Sequence, residues 1–198
     1  MTWEKNRGFS MLELVITIAI AMTMAGVTFV ALKPLFNANH VDAAYDTTVS
    51  AISSYRSLAI TQTRRYILLF SAPGTITVQY WSGTASPVPV TVATYTLPSD
   101  MQFAVQAGFP SPGPEGLTDG TQAVAFNTCN AVEGGQNCLI FFPDGSAQDD
   151  VGNLNSGVVY LTRPGDMYSS RAVSVIGGSG KIRGWRLYNQ SGNVWVQQ

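Results

Sequence analysis

An uninterrupted apolar segment near the N-terminus constrains this chain more than any other feature. Residues 14–32 are nineteen positions without a charged side chain. As a helix they span about 28 Å, close to the roughly 30 Å hydrocarbon core of a bilayer. Lys5 and Arg7 precede the segment, and basic residues on that side favour a cytoplasmic start. The segment therefore predicts a single membrane span.

Glu13 stands immediately before that span and helps to choose between three interpretations of it. The segment fits a secretory signal peptide cut near Ala25, an ordinary signal anchor, or a more specialised anchor. A carboxylate at the edge of a membrane span costs free energy, up to about 2.5–3.5 kcal/mol at the bilayer centre, and usually has a partner. A signal peptide has no use for such a residue. Glu13 therefore favours the specialised anchor.

Residues 7–13, RGFSMLE, resemble the processing motif of type IV prepilins and of type II secretion pseudopilins. In those proteins a membrane aspartyl peptidase cuts after the glycine and methylates the new N-terminal residue. The resemblance implies a cut between Gly8 and Phe9, N-methylation of Phe9, and a prepilin peptidase and other pilin subunits as partners. It also implies a single-pass protein of the bacterial inner membrane with its head in the periplasm, which later joins a filament there or at the cell surface.

The same resemblance gives Glu13 a role in assembly. An ammonium on Phe9 and the carboxylate of Glu13 are opposite charges in a low-dielectric environment, where pairing offsets the cost of burial. In a filament the pair forms between neighbouring subunits, which selects their register.

A second helical segment follows the span. Pro34 predicts a kink or a local break, and Arg64 and Arg65 suit the negative C-terminal end of the helix better than a ligand site. Apolar residues at spacings of three and four predict a stripe facing a core, made of Val41, Tyr45, Val49, Ile52, Tyr55 and Ala59. The expected division is a cleaved leader (1–8), a transmembrane or filament-core half of the helix (9–33), an amphipathic half (34–65) and a β-rich head (66–198).

From residue 66 onward the sequence consists of short β-rich runs separated by Gly, Pro, Asn and Asp. Residues 107–120, AGFPSPGPEGLTDG, predict a mobile loop. The expected fold class is α+β, with one long helix packed against antiparallel sheets. The predicted strands are 66–70, 75–81, 88–96, 102–106, 123–127, 139–142, 157–161, 172–176 and 184–188.

The C-terminal half carries a second resemblance. The segments FFPDGS, GVVYL, AVSVI and GKIR, which begin at residues 141, 157, 172 and 180, are similar to the GspH/FimT family. Members of that family are minor pseudopilins of type II secretion and minor pilins of type IV pili. The resemblance implies a minor subunit that initiates or caps an envelope filament, and it does not separate the two machines.

Cys129 and Cys138 enclose a short polar segment, CNAVEGGQNC. Gly134 and Gly135 allow the tight turn that a bridge needs, and an exported chain meets an oxidising compartment. The pair therefore predicts a disulfide. A metal site is disfavoured, because the one histidine of the chain, His40, lies far away in the sequence.

Positive charge gathers near the C-terminus, where residues 163–198 contain five bases and one acid. A GGSG turn predicts a hairpin that places Lys181 and Arg183 on one face of the returning strand, and Arg186 on the other unless a bulge at Gly184 shifts the register. In FimT-type pilins a GRxR motif here is associated with DNA binding during natural transformation. This chain has GKIR, and lysine lacks the bidentate fork of arginine. A solvated hairpin at a subunit contact is thus the first hypothesis, and a DNA-binding subunit at a pilus tip is the alternative.

The sequence contains no pattern typical of an active site. With one histidine and no Cys/His or Ser/His/Asp arrangement, we predict no catalytic residue, no cofactor and no enzyme activity. Asp144, Asp149 and Asp150 offer oxygen ligands of the kind that calcium prefers. Their segment, PDGSAQDD, lacks the spacing of an EF-hand loop, so a polar turn between strands is favoured and no metal site is predicted.

Overall fold

The computed structural model of the protein describes residues 9–82, 88–129 and 136–198, with the backbone alone at 29–38, Ser82 and Gln136. The predicted leader, residues 1–8, lies outside the described residues. The chain divides into two compact units, one that ends at Ala38 and one that runs from Asn39 to Gln198. One long helix, α1 (Met11–Gln62), contributes to both units.

Helix α1 continues through Pro34. Its backbone is helical from Met11 to Gln62, so the local break that Pro34 predicts does not occur. A proline within a helix removes one backbone hydrogen bond, at a cost of about 3 kcal/mol or more. The helical segments on both sides of Pro34 are long enough to continue despite that loss.

The helix ends through a backbone reversal at Thr63. This residue has a φ of 52°, and the Arg64 amide donates to the Ala59 carbonyl at 3.2 Å. The hydrogen bond is typical of a Schellman motif, in which glycine usually occupies the reversed position. A β-branched residue there is strained by roughly 1–3 kcal/mol. The surrounding structure therefore imposes the reversal, and Arg64 and Arg65 follow the helix rather than forming its last turn.

Short antiparallel strands make up most of the remaining described chain. They are β1 (Tyr66–Ser71), β2 (Thr75–Ser82), β3 (Val88–Thr96), β4 (Gln102–Phe103), β5 (Thr128–Cys129), β6 (Gln136–Phe141), β7 (Ala147–Gln148), β8 (Gly157–Arg163), β9 (Asp166–Ile176), β10 (Lys181–Asn189) and β11 (Asn193–Gln197). The first sheet has the order β3-β2-β1-β6-β5, with β7 beside β6, and the second has the order β11-β10-β9-β8-β4. The predicted α+β class is confirmed.

One continuous core joins α1 to both sheets. Its members on α1 are Val41, Ala44, Ala51, Ile52, Tyr55 and Ala59. The same cluster contains Leu68 and Ile76 of the first sheet and Val159 and Val173 of the second. Most of the predicted helical stripe is thus buried, with Tyr45 and Val49 partly buried at its margin. Burying each large aliphatic side chain contributes about 1.5–3 kcal/mol, so this shared core fixes both sheets to the helix.

Strand β8 of the second sheet is buried on both faces. No residue of β8 is exposed. On the face of β8 that carries Tyr160, this residue packs in a separate hydrophobic cluster with Leu187 and Trp195. Phe109 covers this outer face, with its ring centroid 5.3 Å from that of Tyr160 and 5.1 Å from that of Trp195. Residues 107–120, which we call the covering loop, therefore pack against this sheet, whereas their Pro and Gly content predicts a mobile loop.

Several strand bounds differ from the prediction. Residues 123–127 are not a strand: Val124 forms an isolated bridge with Val159, and β5 begins only at Thr128. The predicted strand at 102–106 is reduced to the two residues of β4. The sequence does not predict β7 or β11, both of which are short.

Gly184 allows α1 to pack closely on the second sheet. A Cβ at this position would overlap the hydroxyl of Tyr45. We expect Gly184→Ala to lower the free energy of unfolding by about 1–3 kcal/mol, because an overpacked core must move side chains or backbone. Urea unfolding of the full chain in detergent measures this effect. Gly178→Ala is the control, since a Cβ there meets Leu154 Cδ1 at an ordinary 3.6 Å, and equal stability of the two variants would contradict the packing of Tyr45.

Candidate functional site

Ser10 closes the first turn of α1. Its hydroxyl accepts a hydrogen bond from the Leu12 amide at 3.3 Å, and its carbonyl accepts from the amides of Glu13 and Leu14 at 3.0 and 3.1 Å. Ser10 is therefore the N-cap, and Glu13 stands three residues later, where an acid complements the positive end of the helix. The pattern Ser-x-x-Glu carries this signal in the sequence, although the prediction of a processing site makes no use of it.

The helix that follows is apolar on every side. Met11 and Leu12 expose 88% and 70% of their surface, and no residue from Met11 to Thr28 is buried. Threonine hydroxyls in this segment donate to backbone carbonyls about one turn earlier, at 2.8–2.9 Å. These pairs are Thr17 with Leu14, Thr23 with Ile20 and Thr28 with Met24. The side chains therefore leave no hydroxyl unpaired in an apolar environment.

Residues Met11–Thr28 are long and apolar enough to cross a membrane, with a mean hydropathy of 1.9. Within the described parts of the chain, this is the one helix that meets that criterion. A helix that is apolar all round is normally buried in lipid or among other helices. The segment is therefore suited to a membrane anchor.

Glu13 is the one charged side chain between Met11 and Thr28. Its carboxylate is exposed and has no hydrogen-bond or ion-pair partner among the residues that the structure describes. A carboxylate that enters an apolar medium must pair with a cation or become neutral. The carboxylate of Glu13 is thus free to pair with a cation outside the described residues.

The three bases of the predicted basic hairpin lie in three different environments. Strands β9 and β10 pair without a register shift, with Arg186 opposite Arg171. Lys181 and Arg183 therefore share one face and Arg186 lies on the other, as expected for a strand without a bulge. Lys181 is exposed, whereas Arg183 and Arg186 are partly buried. The structure does not bring the three together in one patch.

Arg183 is engaged by Glu115 from the covering loop. Its guanidinium donates to one oxygen of the Glu115 carboxylate, and the Ser174 hydroxyl donates to the other at 2.8 Å. Trp185 donates its indole N–H to the same Ser174 hydroxyl at 2.9 Å. Arg183 therefore fastens the loop to the second sheet, and a phosphate would have to compete with Glu115 for it.

Arg56 ties the tip of the hairpin to α1. Its Nε donates to the Gly145 carbonyl at 3.1 Å and its Nη2 donates to the Ser179 carbonyl at 2.9 Å. Gly180 has a φ of 60° and lies so close to Gly145 and Arg56 that a Cβ would collide with both. The tip is thus held against the head. These partners lie 89 and 123 residues from Arg56 in the sequence, so no local pattern identifies it.

Arg171 and Arg186 lie opposite each other on the side of the second sheet that faces α1. Arg171 is 5% exposed and donates to Asp42 of α1 at 3.0 Å. Burial lowers the pKa of Arg171, the charge of Arg186 lowers it further, and Asp42 offsets part of that change. Asp42 therefore neutralises Arg171, and Arg186 forms no ion pair with any described residue.

Cys129 and Cys138 form a disulfide, with their Cα atoms 5.7 Å apart. Both are fully buried in a cluster that also contains Ile67 and Ile140. The predicted turn between them lies outside the described residues. The disulfide predicted from the sequence is therefore present, and it belongs to the core of the head.

Asp149 is a structural residue rather than a metal ligand. It is 4% exposed, and its Oδ1 accepts from two backbone amides at 2.8 and 3.1 Å. Its Oδ2 accepts from the side-chain amides of Asn127 and Asn153 at 3.1 and 3.2 Å. Burial opposes ionisation, but these hydrogen bonds outweigh it and hold the pKa of Asp149 below its usual value. Donors thus occupy both oxygens, and the described residues contain no cluster of three metal-ligating side chains.

His40 has a carboxylate neighbour that the sequence does not predict. Its Nδ1 lies 2.9 Å from one oxygen of Asp100, and the Nε of Arg163 lies 3.3 Å from the other. The contact joins α1 to the segment between β3 and β4. We assign it a role in holding the fold together.

Comparison with known proteins identifies the N-terminus. The prokaryotic N-terminal methylation motif matches residues 3–29. No curated protein and no solved structure matches the chain. The motif, together with the exposed apolar helix, supports a type IV pilin-like or pseudopilin subunit that is anchored in a membrane, processed by a prepilin peptidase and assembled with other pilins.

The motif predicts where the mature chain begins. We expect an N-methylated Phe9 at the mature N-terminus, because Gly8 leaves room for the peptidase at the cut. Mass spectrometry of the protein produced together with a prepilin peptidase measures this. Gly8→Val should remain uncut, and a mature start near Ala25 would instead indicate a signal peptide.

Proposed function

We propose that this protein is a non-enzymatic minor pilin or pseudopilin of the GspH/FimT type, which initiates or caps a type II secretion pseudopilus or a type IV pilus. The observation that carries the proposal is the exposed apolar helix with one unpartnered carboxylate, Glu13, in its first turn. The methylation motif at residues 3–29 supports it. The resemblance of the FFPDGS and GKIR segments to that family supports the finer assignment.

Processing would place a cation next to the cap of α1. A cut after Gly8 leaves an ammonium on Phe9, beside Ser10 and the positive end of the helix dipole. A buried Glu13 without a partner would cost up to about 2.5–3.5 kcal/mol. A neighbouring subunit whose Phe9 ammonium reaches Glu13 offsets that cost, and one at another axial offset does not. The charge pair therefore selects the register of assembly.

Before assembly, the same helix anchors the chain in the inner membrane. Lys5 and Arg7 favour a cytoplasmic N-terminus, and the disulfide between Cys129 and Cys138 fits a head in the oxidising periplasm. Lipid tails are as apolar as the helices of a filament core. Transfer from the membrane to the filament therefore needs no large change in hydrophobic free energy.

Replacement of Glu13 tests the filament proposal. We expect Glu13→Ala to insert into the membrane normally and to enter filaments about tenfold less, if the lost pairing contributes about 1.4 kcal/mol. Immunoblots of membrane and sheared-filament fractions measure both quantities. Ser54→Ala, an exposed polar change on α1, is the control. Normal amounts of the Glu13→Ala protein in filaments would refute the proposed pairing.

DNA binding at a pilus tip is the second candidate function. The observation that favours it is a set of bases that form no ion pair with any acid in the described head: Arg56, Arg64, Arg65, Lys181 and Arg186. Lys181 is exposed beside the hairpin tip. Because Glu115 already engages Arg183 and Arg186 lies on the other face, the hairpin offers fewer phosphate contacts than its sequence predicts.

Titration with duplex DNA at several salt concentrations separates the two candidates. The DNA hypothesis predicts a weak complex whose logarithmic salt slope is about −0.9 per phosphate contacted. Lys181→Ala should weaken the binding and reduce the salt slope by about 0.9, and Lys181→Arg should retain both because the charge is kept. An absence of binding at low salt, or full binding by Lys181→Ala, would eliminate the hairpin as a DNA site.

A further inference from the structure

Part of the helix-facing side of the second sheet is left uncovered. Four side chains lie on it, and pairing places Arg186 opposite Val196 and Tyr188 opposite Val194. Val194 exposes 38% of its surface, and Val196 and Tyr188 each expose 36%. We call this set of four residues the β10–β11 face.

The residues of β10 that share a face with Arg186 show where α1 stops covering the second sheet. Residues two apart on a strand share a face. Ile182 packs against the core that contains α1, and Gly184 lies beneath Tyr45 of α1. Arg186 and Tyr188 continue the same row. Helix α1 therefore covers this face of β10 up to Gly184. It does not cover Arg186 and Tyr188, or Val194 and Val196, which pair with them on β11.

Arg186 is a cation without a counter-ion. It makes no ion pair with any described residue, and its Nε is buried without a hydrogen-bond partner. Its guanidinium carbon lies 5.1 Å from the ring centroid of Tyr188, while the nearby Asp42 carboxylate is already paired with Arg171. The missing group is thus an acceptor, and a carboxylate matches a guanidinium best.

The dimensions of the face fit a helix. Neighbouring strands lie about 4.8 Å apart, so β10 and β11 together are roughly as wide as the 8–10 Å that separate two packed helices. Val194, Val196 and the Tyr188 ring supply an apolar floor of the kind that a sheet buries against a helix. A second helix lying beside α1 would cover the face completely.

We propose that the β10–β11 face binds the amphipathic N-terminal helix of a neighbouring filament subunit, with a carboxylate of that helix paired to Arg186. The inference rests on the proposed function as a filament subunit. The N-terminal helix of a pilin-like subunit can supply such an acid, since α1 itself exposes Asp46 on the face that is not buried against its own sheets. Contact between the helix of one subunit and the sheet of the next is heterologous, and such contacts generate open helical assemblies rather than closed dimers.

Site-specific photo-crosslinking tests this contact in cells that assemble the filament. A photoreactive amino acid at position 196 should form an adduct with another pilin-like subunit. Mass spectrometry should locate the adduct in the head portion of that subunit's N-terminal helix. The same amino acid at Lys181, which is exposed on the opposite face of β10, should not form that adduct. With the probe at 196, Arg186→Glu should reduce the adduct about tenfold and Arg186→Lys should retain most of it.

Two measurements keep the inference separate from the proposed function. The amount of protein in sheared filaments is determined in parallel, and intact folding of each variant is checked by protease resistance of the head. A normal amount in filaments with adducts only to lipid, to a β-strand segment or to nothing would overturn the helix contact and leave the filament function in place. Absence of the unsubstituted protein from filaments would overturn both.

Discussion

The packing of α1 against two sheets at once is the interaction on which the rest of the head depends. Small side chains on its buried face, Ala44, Ala51 and Ala59, allow the sheets to approach closely. The buried Thr48 hydroxyl donates to the Ala44 carbonyl at 2.9 Å, so it leaves no unpaired polar atom there. Without α1, the inner faces of both sheets would be open to water. The polar contacts of Asp42, Arg56 and His40 then connect this helix to segments distant in the sequence.

Elements with strong local patterns are predicted well from the sequence. The apolar run predicts the exposed first half of α1, and the stripe of apolar residues predicts the buried second half. Strand β3 (Val88–Thr96) has the predicted bounds, because β-branched residues with turn-forming neighbours are typical of strands. The RGFSMLE pattern predicts the N-terminal methylation motif, which residues 3–29 match, without any knowledge of the fold.

Features that depend on distant contacts are not predicted. Glu115 and Arg183 are 68 residues apart, so the sequence alone shows a free cation where the structure forms an ion pair. The Pro and Gly residues of the covering loop predict mobility. The sequence does not show that Phe109 anchors this loop by packing against Tyr160 and Trp195. Strand β7 has only two residues and produces no periodic signal. Strands β7 and β11 form because β6 and β10 offer edges to pair with.

The burial of β8 on both faces limits how the sequence of this strand can change over evolution. In β8, Val159 packs in the core beside α1, and Tyr160 packs in the cluster under the covering loop. Neighbouring positions are therefore constrained by different packing partners. Drift in this strand is restricted at nearly every residue, unlike a strand with one solvated face, where alternate positions vary freely. The exposed turn between β10 and β11 has no such double constraint. Homologues should therefore diverge first at that turn and last along β8 and the buried half of β9.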